Sequence, residues 1–324
     1  MAESVTSLGI QMLSSRLILQ GGSTMSTLSE QLATGRRSTD LTNYTATEAR
    51  QILDFRSGIS RRESYIEIIQ TIRPRLVSYQ QTLNEMSNLI AEADRILQNA
   101  QNYDQAQSVS TREQLFNILK QVEALLNTRV GDRYIYSGAR YSQAPATDLT
   151  ALGDPTGETY PVVSPNLPPW DKERVDSGGT TTTNPRLWDT LSSTIDDTLS
   201  INYEISTTDT GIQQMVQGLR WAYTATGSQA NFSTYRTNAL TLFESALDNV
   251  RTLEANAAQN VGTLDKTKIL HQSQLTILKT DLDTVGGVDI NEVSTKITFF
   301  QSQLEASYAV TGRIASLSII DYLR

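Results

Sequence analysis

The chain of 324 residues contains no cysteine and a single histidine, His271. Without thiols it can form neither a disulfide, nor a thiolate nucleophile, nor a zinc site built from cysteine and histidine. His271 has no serine or cysteine partner motif and lies among polar neighbours in a helical pattern, so we expect a surface histidine. Glycine-rich phosphate loops are absent as well. The sequence therefore predicts no catalytic residue, no metal site and no cofactor.

Basic charge and long apolar runs are also scarce. Lys and Arg number 27 against 35 Asp and Glu, a net charge of −8, which argues against nucleic-acid binding. No apolar run reaches the roughly 18 residues that a membrane span needs, so we expect no membrane insertion. The N-terminus lacks a basic segment followed by a continuous apolar one, so a cleaved secretory signal is not expected. The acidic pairs Asp196–Asp197 and Asp281/Asp283 lack EF-hand spacing and are expected to be solvated charge.

The two ends of the chain, in contrast, are rich in apolar residues at helical spacing. Between Glu3 and Glu30 the only charged residue is Arg16, and most other polar positions there are Ser, Thr or Gln. An ordinary solvated helix face is charged, so this composition predicts two terminal helices that pair and are then surrounded by other protein surfaces. The candidate assembly interface consists of Leu8, Met12, Leu13, Leu17, Ile297, Phe300, Leu304, Tyr308, Ile314 and Leu317.

Residues 48–102 carry five consecutive heptads. Apolar residues recur every seven positions, each with a partner three residues on, which is the pattern of a coiled-coil seam. A core helix of a globular bundle is the alternative, but the length of the pattern favours the coiled coil. Pro74 is expected on the outside of this helix, where it should kink or restart it. The heptad residues are Ile69, Ile72, Leu76, Tyr79, Leu83, Met86, Ile90, Ala93, Leu97 and Ala100.

Glycines predict where the terminal helices end. Gly35 is placed to stop the first helix, and Gly286-Gly287 to stop the long helix that precedes the last one. Gly21-Gly22 lies inside the first helix and costs it roughly 2 kcal/mol relative to alanine, so either the helix bends there or an external contact holds it.

Two capping boxes and one short strand complete the local signals. Ser110 with Glu113 predicts the start of a helix that runs to about residue 128, and Asp289 with Glu292 predicts the start of the terminal helix. Residues 133–138 (RYIYSG) read as a short strand closed by glycine.

The middle of the chain, residues 139–205, differs in character from both arms. It contains seven of the eight prolines, and ten acidic against four basic residues. Proline at this density excludes long helices, so we predict a small, exposed, β-rich or loop-rich insertion. A carbohydrate- or ligand-binding patch around Trp170 and Trp188 is the alternative, although tryptophan more often packs a small core.

Together these signals predict a mainly α protein. Its architecture is a nested antiparallel helical coiled-coil bundle formed from both chain ends, with a small β-rich insertion in the middle. The predicted segments are an N-terminal assembly helix (1–37), an N-terminal coiled-coil arm (38–138), a β-rich exposed insertion (139–207), a C-terminal coiled-coil arm (208–287) and a C-terminal assembly helix (288–324).

Several segments resemble the bacterial flagellin family, which includes filament flagellins and the hook-filament junction protein, hook-associated protein 3. Residues 31–37 (QLATGRR) are similar to the "LSTGKR" segment that closes the first helix in that family. Residues 133–138 are similar to its "YIFSG" strand. The tail, with GVDI at 287–290 and SLSIIDYL at 316–323, resembles the C-terminal helix of the junction protein more than that of filament flagellins.

The resemblance implies a structural axial subunit of the bacterial flagellum at the hook-filament junction, with a filament-forming flagellin as the alternative. It implies export without a cleaved signal peptide by the flagellar type III apparatus, and an extracellular location. The implied partners are further copies of the chain, hook-associated proteins, flagellin and an export chaperone. An alternative of another class is a secreted coiled-coil adhesin whose acidic middle binds a ligand. An enzyme is not expected.

Overall fold

The computed structural model describes residues 2–142, 144–146, 148–151, 155–156, 173–175, 181–183 and 191–322. Their α-helices are α1 (Ala2–Thr34), α2 (Ala46–Asn99), α3 (Gln105–Leu126), α4 (Thr210–Ala225), α5 (Phe232–Gly286) and α6 (Ile290–Tyr322). Three antiparallel strand pairs accompany them: β1 (Arg129–Val130) with β2 (Arg133–Tyr134), β3 (Glu173–Val175) with β4 (Thr181–Thr183), and β5 (Ser192–Asp196) with β6 (Leu199–Asn202). The predicted mainly α fold with a small β-rich insertion is confirmed.

The heptad residues of α2 form its buried stripe. All ten are buried, and Ala100, just after the helix end, is the most exposed of them at 6%. The nine from Ile69 to Leu97 share one core with apolar residues of α3, α4 and α5, so in this part of the chain the stripe packs within a helical bundle, and Ala100 packs in a smaller cluster with Ala225, Phe232 and Tyr235. Pro74 lies exposed inside α2, as predicted, but α2 does not restart there. Pro74 lies on the solvent side of the helix, where the hydrogen bond that proline cannot donate is lost outside the core. Ile72 and Leu76, two residues away on either side, are buried in the core.

Helices α2 and α5 run antiparallel. Near the middle of α2, Arg73 donates two hydrogen bonds to the carboxylate of Asp265, at 2.7 and 3.0 Å. Further towards the C-terminus of α2, Asn84 Nδ2 donates to Glu254 Oε1 at 3.2 Å. At the end of α2, Arg236 Nε donates to the carbonyl of Leu97 at 2.8 Å. The residue numbers of the α5 partners decrease as those along α2 increase, as in an antiparallel pair. Exposed ion pairs contribute little energy, so these contacts set register while the buried stripe provides stability.

Two local predictions are wrong. Helix α3 begins at Gln105, five residues before Ser110, because the carboxylate of Asp104 accepts from the N–H of Ala106 at 2.9 Å and caps the helix there. Strand β2 ends at Tyr134, after which residues 135–140 form a 3₁₀ helix. Its partner β1 has only two residues, so the ladder ends, and Tyr136 turns into the core.

The hairpin β5–β6 packs on the helices, and it explains why His271 is not on the surface. The ring of His271 is fully buried, stacked on Tyr65 with centroids 5.2 Å apart. Its Nε2–H donates to the carbonyl of Ile195 in β5 at 2.8 Å, and Tyr65 donates to Asp197 at 3.0 Å. The prediction of a surface histidine is therefore wrong, since the hairpin covers a helix face that is polar in sequence.

The described part of the insertion also contributes to the helical core. Ile195, Ile201, Tyr203 and Ile205 are buried in the same cluster as the stripe of α2. This part of the insertion is therefore not wholly exposed. Trp170 and Trp188, the alternative ligand patch, lie outside the described residues.

The chain divides into two compact units. One comprises residues 1–63 and 272–324, and the other comprises residues 64–271. The first unit holds α1, α6 and the adjoining parts of α2 and α5, where Lys279 pairs with Glu63 at 3.1 Å. The second holds the bundle core, the insertion and α3 and α4. The division of the sequence into five segments stays a prediction.

Asp209, just before α4, predicts an unusual pH dependence. Burial raises the pKa of its carboxyl group, although the N–H of Ser206 donates to Oδ2 at 2.7 Å. As pH rises above the pKa that the Asp209 carboxyl has in the unfolded chain, the folded protein keeps a proton that the unfolded chain releases. The free energy of unfolding therefore falls with rising pH. Asp209→Asn keeps a hydrogen-bond acceptor without the charge, and we expect it to raise the melting temperature at neutral pH and to do so less in acid.

Asp148→Asn is the matched control, and we expect it to lower the melting temperature at neutral pH. Hydrogen bonds from Thr150 and then from Lys120 lower the pKa of Asp148, so its charged form stabilises the fold above the pKa of the unfolded chain. The measurement is thermal unfolding of both variants across the acid range. A lower melting temperature for Asp209→Asn at neutral pH would contradict the prediction.

Candidate assembly surface

Helices α1 and α6 pack against each other within the unit formed by residues 1–63 and 272–324. Gly21 marks their close approach, because a Cβ added there would lie 2.9 Å from Cδ2 of Leu304. Leu28 and Val293 are buried in this unit. The glycine pair is thus not a break in α1, which is continuous through it. At Gly21 the missing side chain makes room for α6.

The ends of these helices are joined by a short backbone bridge. Gly35, at φ +65°, ends α1, and its N–H donates to the carbonyl of Gln31 at 2.8 Å. The N–H of Arg37 donates to the carbonyl of Gly286 at 2.8 Å, and that of Val288 donates to the carbonyl of Gly35 at 3.2 Å. The predicted stops at Gly35 and Gly286-Gly287 are confirmed. The two motifs that carry the family resemblance, QLATGRR and GVDI, therefore meet in space.

Side chains of the loop before α2 hold this bridge in place, which the sequence analysis missed. The hydroxyl of Tyr44 lies 2.9 Å from the carbonyl of Ser38 and 3.2 Å from that of Gly286. The guanidinium of Arg37 stacks 4.4 Å from the Tyr44 ring and pairs with Glu48 at 2.9 Å. Hydrogen bonds from Thr45, and then from Arg37, lower the pKa of Glu48. The spacing from Thr45 to Glu48 is that of a capping box, and it could have predicted the start of α2 and the contacts of Glu48 from the sequence.

Predicted interface residues fall into two groups. The first is exposed in a single protomer, with Met12 at 67% and Leu17 at 51% exposure, together with Leu13 and Tyr308. The second is half-buried: Ile297, Phe300 and Leu304. The side chains of Leu8, Ile314 and Leu317 lie outside the described residues. The contact of Leu304 with Gly21 identifies it as part of the α1–α6 contact, whereas the first group remains available to other protein surfaces.

Further exposed apolar residues widen this surface beyond the predicted stripe. Their exposure was not predicted because they lie off the regular helical spacing of the stripe, on positions that a single-sided amphipathic helix fills with charge. Helices apolar on several sides are typical of segments enclosed by other protein. These residues are Leu19, Ile290 and Phe299; Leu32 and Val310, which continue the helical spacing of the stripe, are exposed as well.

Hydroxyl groups on α1 and α6 are satisfied by the helices themselves. Thr24, Thr27, Thr298 and Ser302 each donate to the carbonyl of the residue four positions earlier, at 2.9 to 3.1 Å. A hydroxyl bonded in this way needs no water to keep a hydrogen bond, so burying it against a neighbour leaves no unsatisfied donor. These four hydroxyl positions are therefore compatible with burial against other protein.

Substituting the two adjacent glycines separately tests the close approach. A phenylalanine at Gly21 must displace Leu304, whereas a Cβ at Gly22 meets nothing within 4 Å. We expect Gly21→Phe to weaken α1–α6 packing by about 1–3 kcal/mol, the usual cost of overpacking. Gly22→Phe has the same helix propensity and is the matched control. The measurement is amide hydrogen exchange in α1 and α6, and equal loss of protection in both variants would contradict the prediction.

The described residues hold neither a metal cluster nor a membrane-spanning helix. There, no group of three or more His, Asp or Glu side chains could hold a metal ion. No helix in the described ranges combines the length and apolarity needed to cross a membrane. Of the two acidic pairs expected to be solvated charge, Asp197 and Asp283 are exposed, whereas Asp196 and Asp281 are half-buried. Asp197 is not wholly solvated, because it accepts a hydrogen bond from Tyr65.

Comparisons with known proteins agree with the resemblance. Neither a protein-family model nor a curated protein matches the sequence. Among solved structures, a protein assigned as a flagellar hook-associated protein of Vibrio parahaemolyticus matches with a TM-score of 0.54 at 11% identity, covering 76% of this chain and 100% of that one. FlgL of Bacillus cereus matches with a TM-score of 0.49 at 17% identity, covering 72% of this chain and 100% of that one. At 11% identity the Vibrio protein shows that the two chains share a fold, so the suspected resemblance is confirmed at the level of the fold.

Proposed function

We propose that this chain is a structural axial subunit of the bacterial flagellum, at the hook-filament junction, that polymerises through its paired terminal helices. The observation that carries the proposal is the exposure of Met12, Leu13, Leu17 and Tyr308 on two helices that are already packed against each other. Contiguous exposed apolar surface marks an interaction site in a soluble protein. Residues 1–37 and 288–324 are the proposed assembly segments.

The sparse charge of α1 supports assembly through several faces. An exposed helix that acts alone in water carries charged residues on its outer side, whereas residues 4–29 carry only Arg16. Neighbouring subunits can therefore approach without desolvating many charges, which would cost several kcal/mol for each unpaired ion. The proposed partners are further copies of the chain, other hook-associated proteins and flagellin, with an export chaperone before assembly outside the cell.

Electron microscopy of the purified chain added to flagellar hook fragments tests the proposal. We expect the chain to coat the hook end in a short layer and to stop there. Long self-propagating filaments would instead support the alternative of a filament-forming flagellin. Failure to bind either hook ends or filament ends would contradict an axial role of any kind.

A further inference from the structure

Sulfur in this chain is confined to methionine. The sequence has five methionines and no cysteine, so no thiol is present to react with an oxidant first. The thioether sulfur is soft and polarizable, and peroxides oxidise it to the sulfoxide. Which methionine reacts therefore depends on which sulfur a dissolved oxidant can reach.

The structure describes four of the five methionines, and these differ sharply in accessibility. Met12, in α1, is 67% exposed, whereas Met25 of the same helix is half-buried. Met86 and Met215 are fully buried in the core of the unit formed by residues 64–271. A buried side chain is reached only when the fold opens locally, so Met12 is the reactive sulfur among these four.

The position of Met12 on α1 also keeps it clear of α6. Helix α1 is continuous from Met12 to Gly21, which lies nine residues further on and where α6 approaches. Nine residues make about two and a half turns, so Met12 lies on the opposite side of α1 from Gly21. Leu19, about two turns after Met12 and therefore on the same side, is 74% exposed. A change at Met12 therefore leaves the α1–α6 contact intact.

From this contrast we infer that Met12 is an oxidation site that controls assembly: a peroxide converts it to methionine sulfoxide in the free chain, and the oxidised chain no longer joins a neighbour through α1. The consequence for assembly rests on the proposed function, in which other subunits cover the exposed apolar residues of α1. The selectivity for Met12 does not, because it follows from the accessibility of the four sulfurs in a single chain.

The step transfers one oxygen atom from hydrogen peroxide to the sulfur of Met12. The peroxide O–O bond breaks, an S–O bond forms, the sulfur loses two electrons, and the second peroxide oxygen leaves as water with both hydrogens. The product is a polar side chain where an apolar one was. Water hydrates the sulfoxide oxygen in the free chain, but an apolar neighbouring surface leaves it without a hydrogen-bond donor. Methionine sulfoxide reductases reverse the change, so the site can act as a switch.

Brief treatment of the free chain with hydrogen peroxide, followed by peptide mass spectrometry, tests the selectivity. We expect Met12 to be oxidised at least about tenfold faster than Met86 and Met215, since these two react only through opening of the fold. Met25 should react at an intermediate rate. Oxidation of Met86 or Met215 as fast as that of Met12 would overturn the inference, whether or not the chain assembles.

Incorporation of the chain into flagella, with and without prior peroxide treatment, tests the consequence for assembly. We expect oxidation of Met12 to lower incorporation about tenfold, the effect of one buried polar group without a partner, and reduction by methionine sulfoxide reductases to restore it. Met12→Leu removes the sulfur and is compared only with its own untreated sample, where we expect peroxide to have no effect. Met25→Leu is the matched control, because it keeps Met12 and should stay sensitive to peroxide.

Failure of the inference and failure of the proposed function give different results. If the untreated chain does not incorporate, assembly through α1 is wrong, and so is the consequence of oxidation. If the untreated chain incorporates and the chain oxidised at Met12 incorporates equally well, the inference alone is overturned. An equal loss of incorporation in peroxide-treated Met12→Leu would place the sensitive residue elsewhere and overturn the inference as well.

Discussion

Leu17→Asp is expected to abolish incorporation into flagella while leaving thermal unfolding of the monomer unchanged. Leu17 is 51% exposed on α1, so an aspartate there stays hydrated in the free chain. If a neighbouring subunit covers this position, as we propose, the carboxylate loses its water without gaining a partner. That costs on the order of several kcal/mol, and the penalty is repeated at every subunit.

Val109→Asp is the matched control for this substitution. Val109 is also an exposed apolar residue on a helix, but it lies on α3 in the other compact unit. We expect Val109→Asp to incorporate normally, because it adds the same charge away from α1 and α6. Incorporation of Leu17→Asp at the level of the unmodified chain would contradict assembly through the exposed face of α1.

The stripe of α2 and the ends of the terminal helices could be predicted because the signals are local. A heptad pattern reports which side of a helix avoids water, whatever covers that side, so the ten stripe residues were identified correctly. Gly35 and Asp289 act on residues within one turn, and Asp289 Oδ1 accepts from the N–H of Asn291 at 2.8 Å, as a cap should.

His271 and its surroundings could not be predicted, because the partner is remote in sequence. A helix face is polar or apolar according to its own residues, but Ile195 reaches His271 from 76 positions away. The hairpin supplies a carbonyl acceptor for the imidazole, so a polar residue becomes buried without losing a hydrogen bond at Nε2. Composition marked residues 139–205 as distinct, but composition says nothing about where such a segment packs.

The two groups within the assembly surface are likewise invisible in the sequence. Leu17 and Leu304 are the same residue type in similar helical patterns, yet one is exposed and the other contacts Gly21. Only the relative placement of α1 and α6 separates the residues that hold this pair together from those that stay exposed. The sequence predicts which residues are apolar at helical spacing, and the packing of the two helices decides which of them are buried and which are exposed.

Leu83→Asp and Leu304→Asp are expected to affect different parts of the molecule. Leu83 is fully buried in the core of the unit formed by residues 64–271. An aspartate there combines lost packing with a buried carboxylate, a cost on the order of several kcal/mol against a total stability of roughly 5–15 kcal/mol. We expect Leu83→Asp to lower the melting temperature of the monomer strongly, because each kcal/mol shifts it by about 2–4 °C in a unit of this size.

Leu304→Asp leaves that core untouched. Leu304 is half-buried and packs against Gly21, so the carboxylate disrupts the α1–α6 contact alone. We expect the main unfolding transition to keep its midpoint, α1 and α6 to lose hydrogen-exchange protection, and incorporation into flagella to fail. The measurement is thermal unfolding of both variants alongside their incorporation. If Leu304→Asp lowers the midpoint of the main transition as far as Leu83→Asp does, the terminal helices contribute to the stability of the core. The proposal that they serve assembly and not the stability of that core would then be wrong.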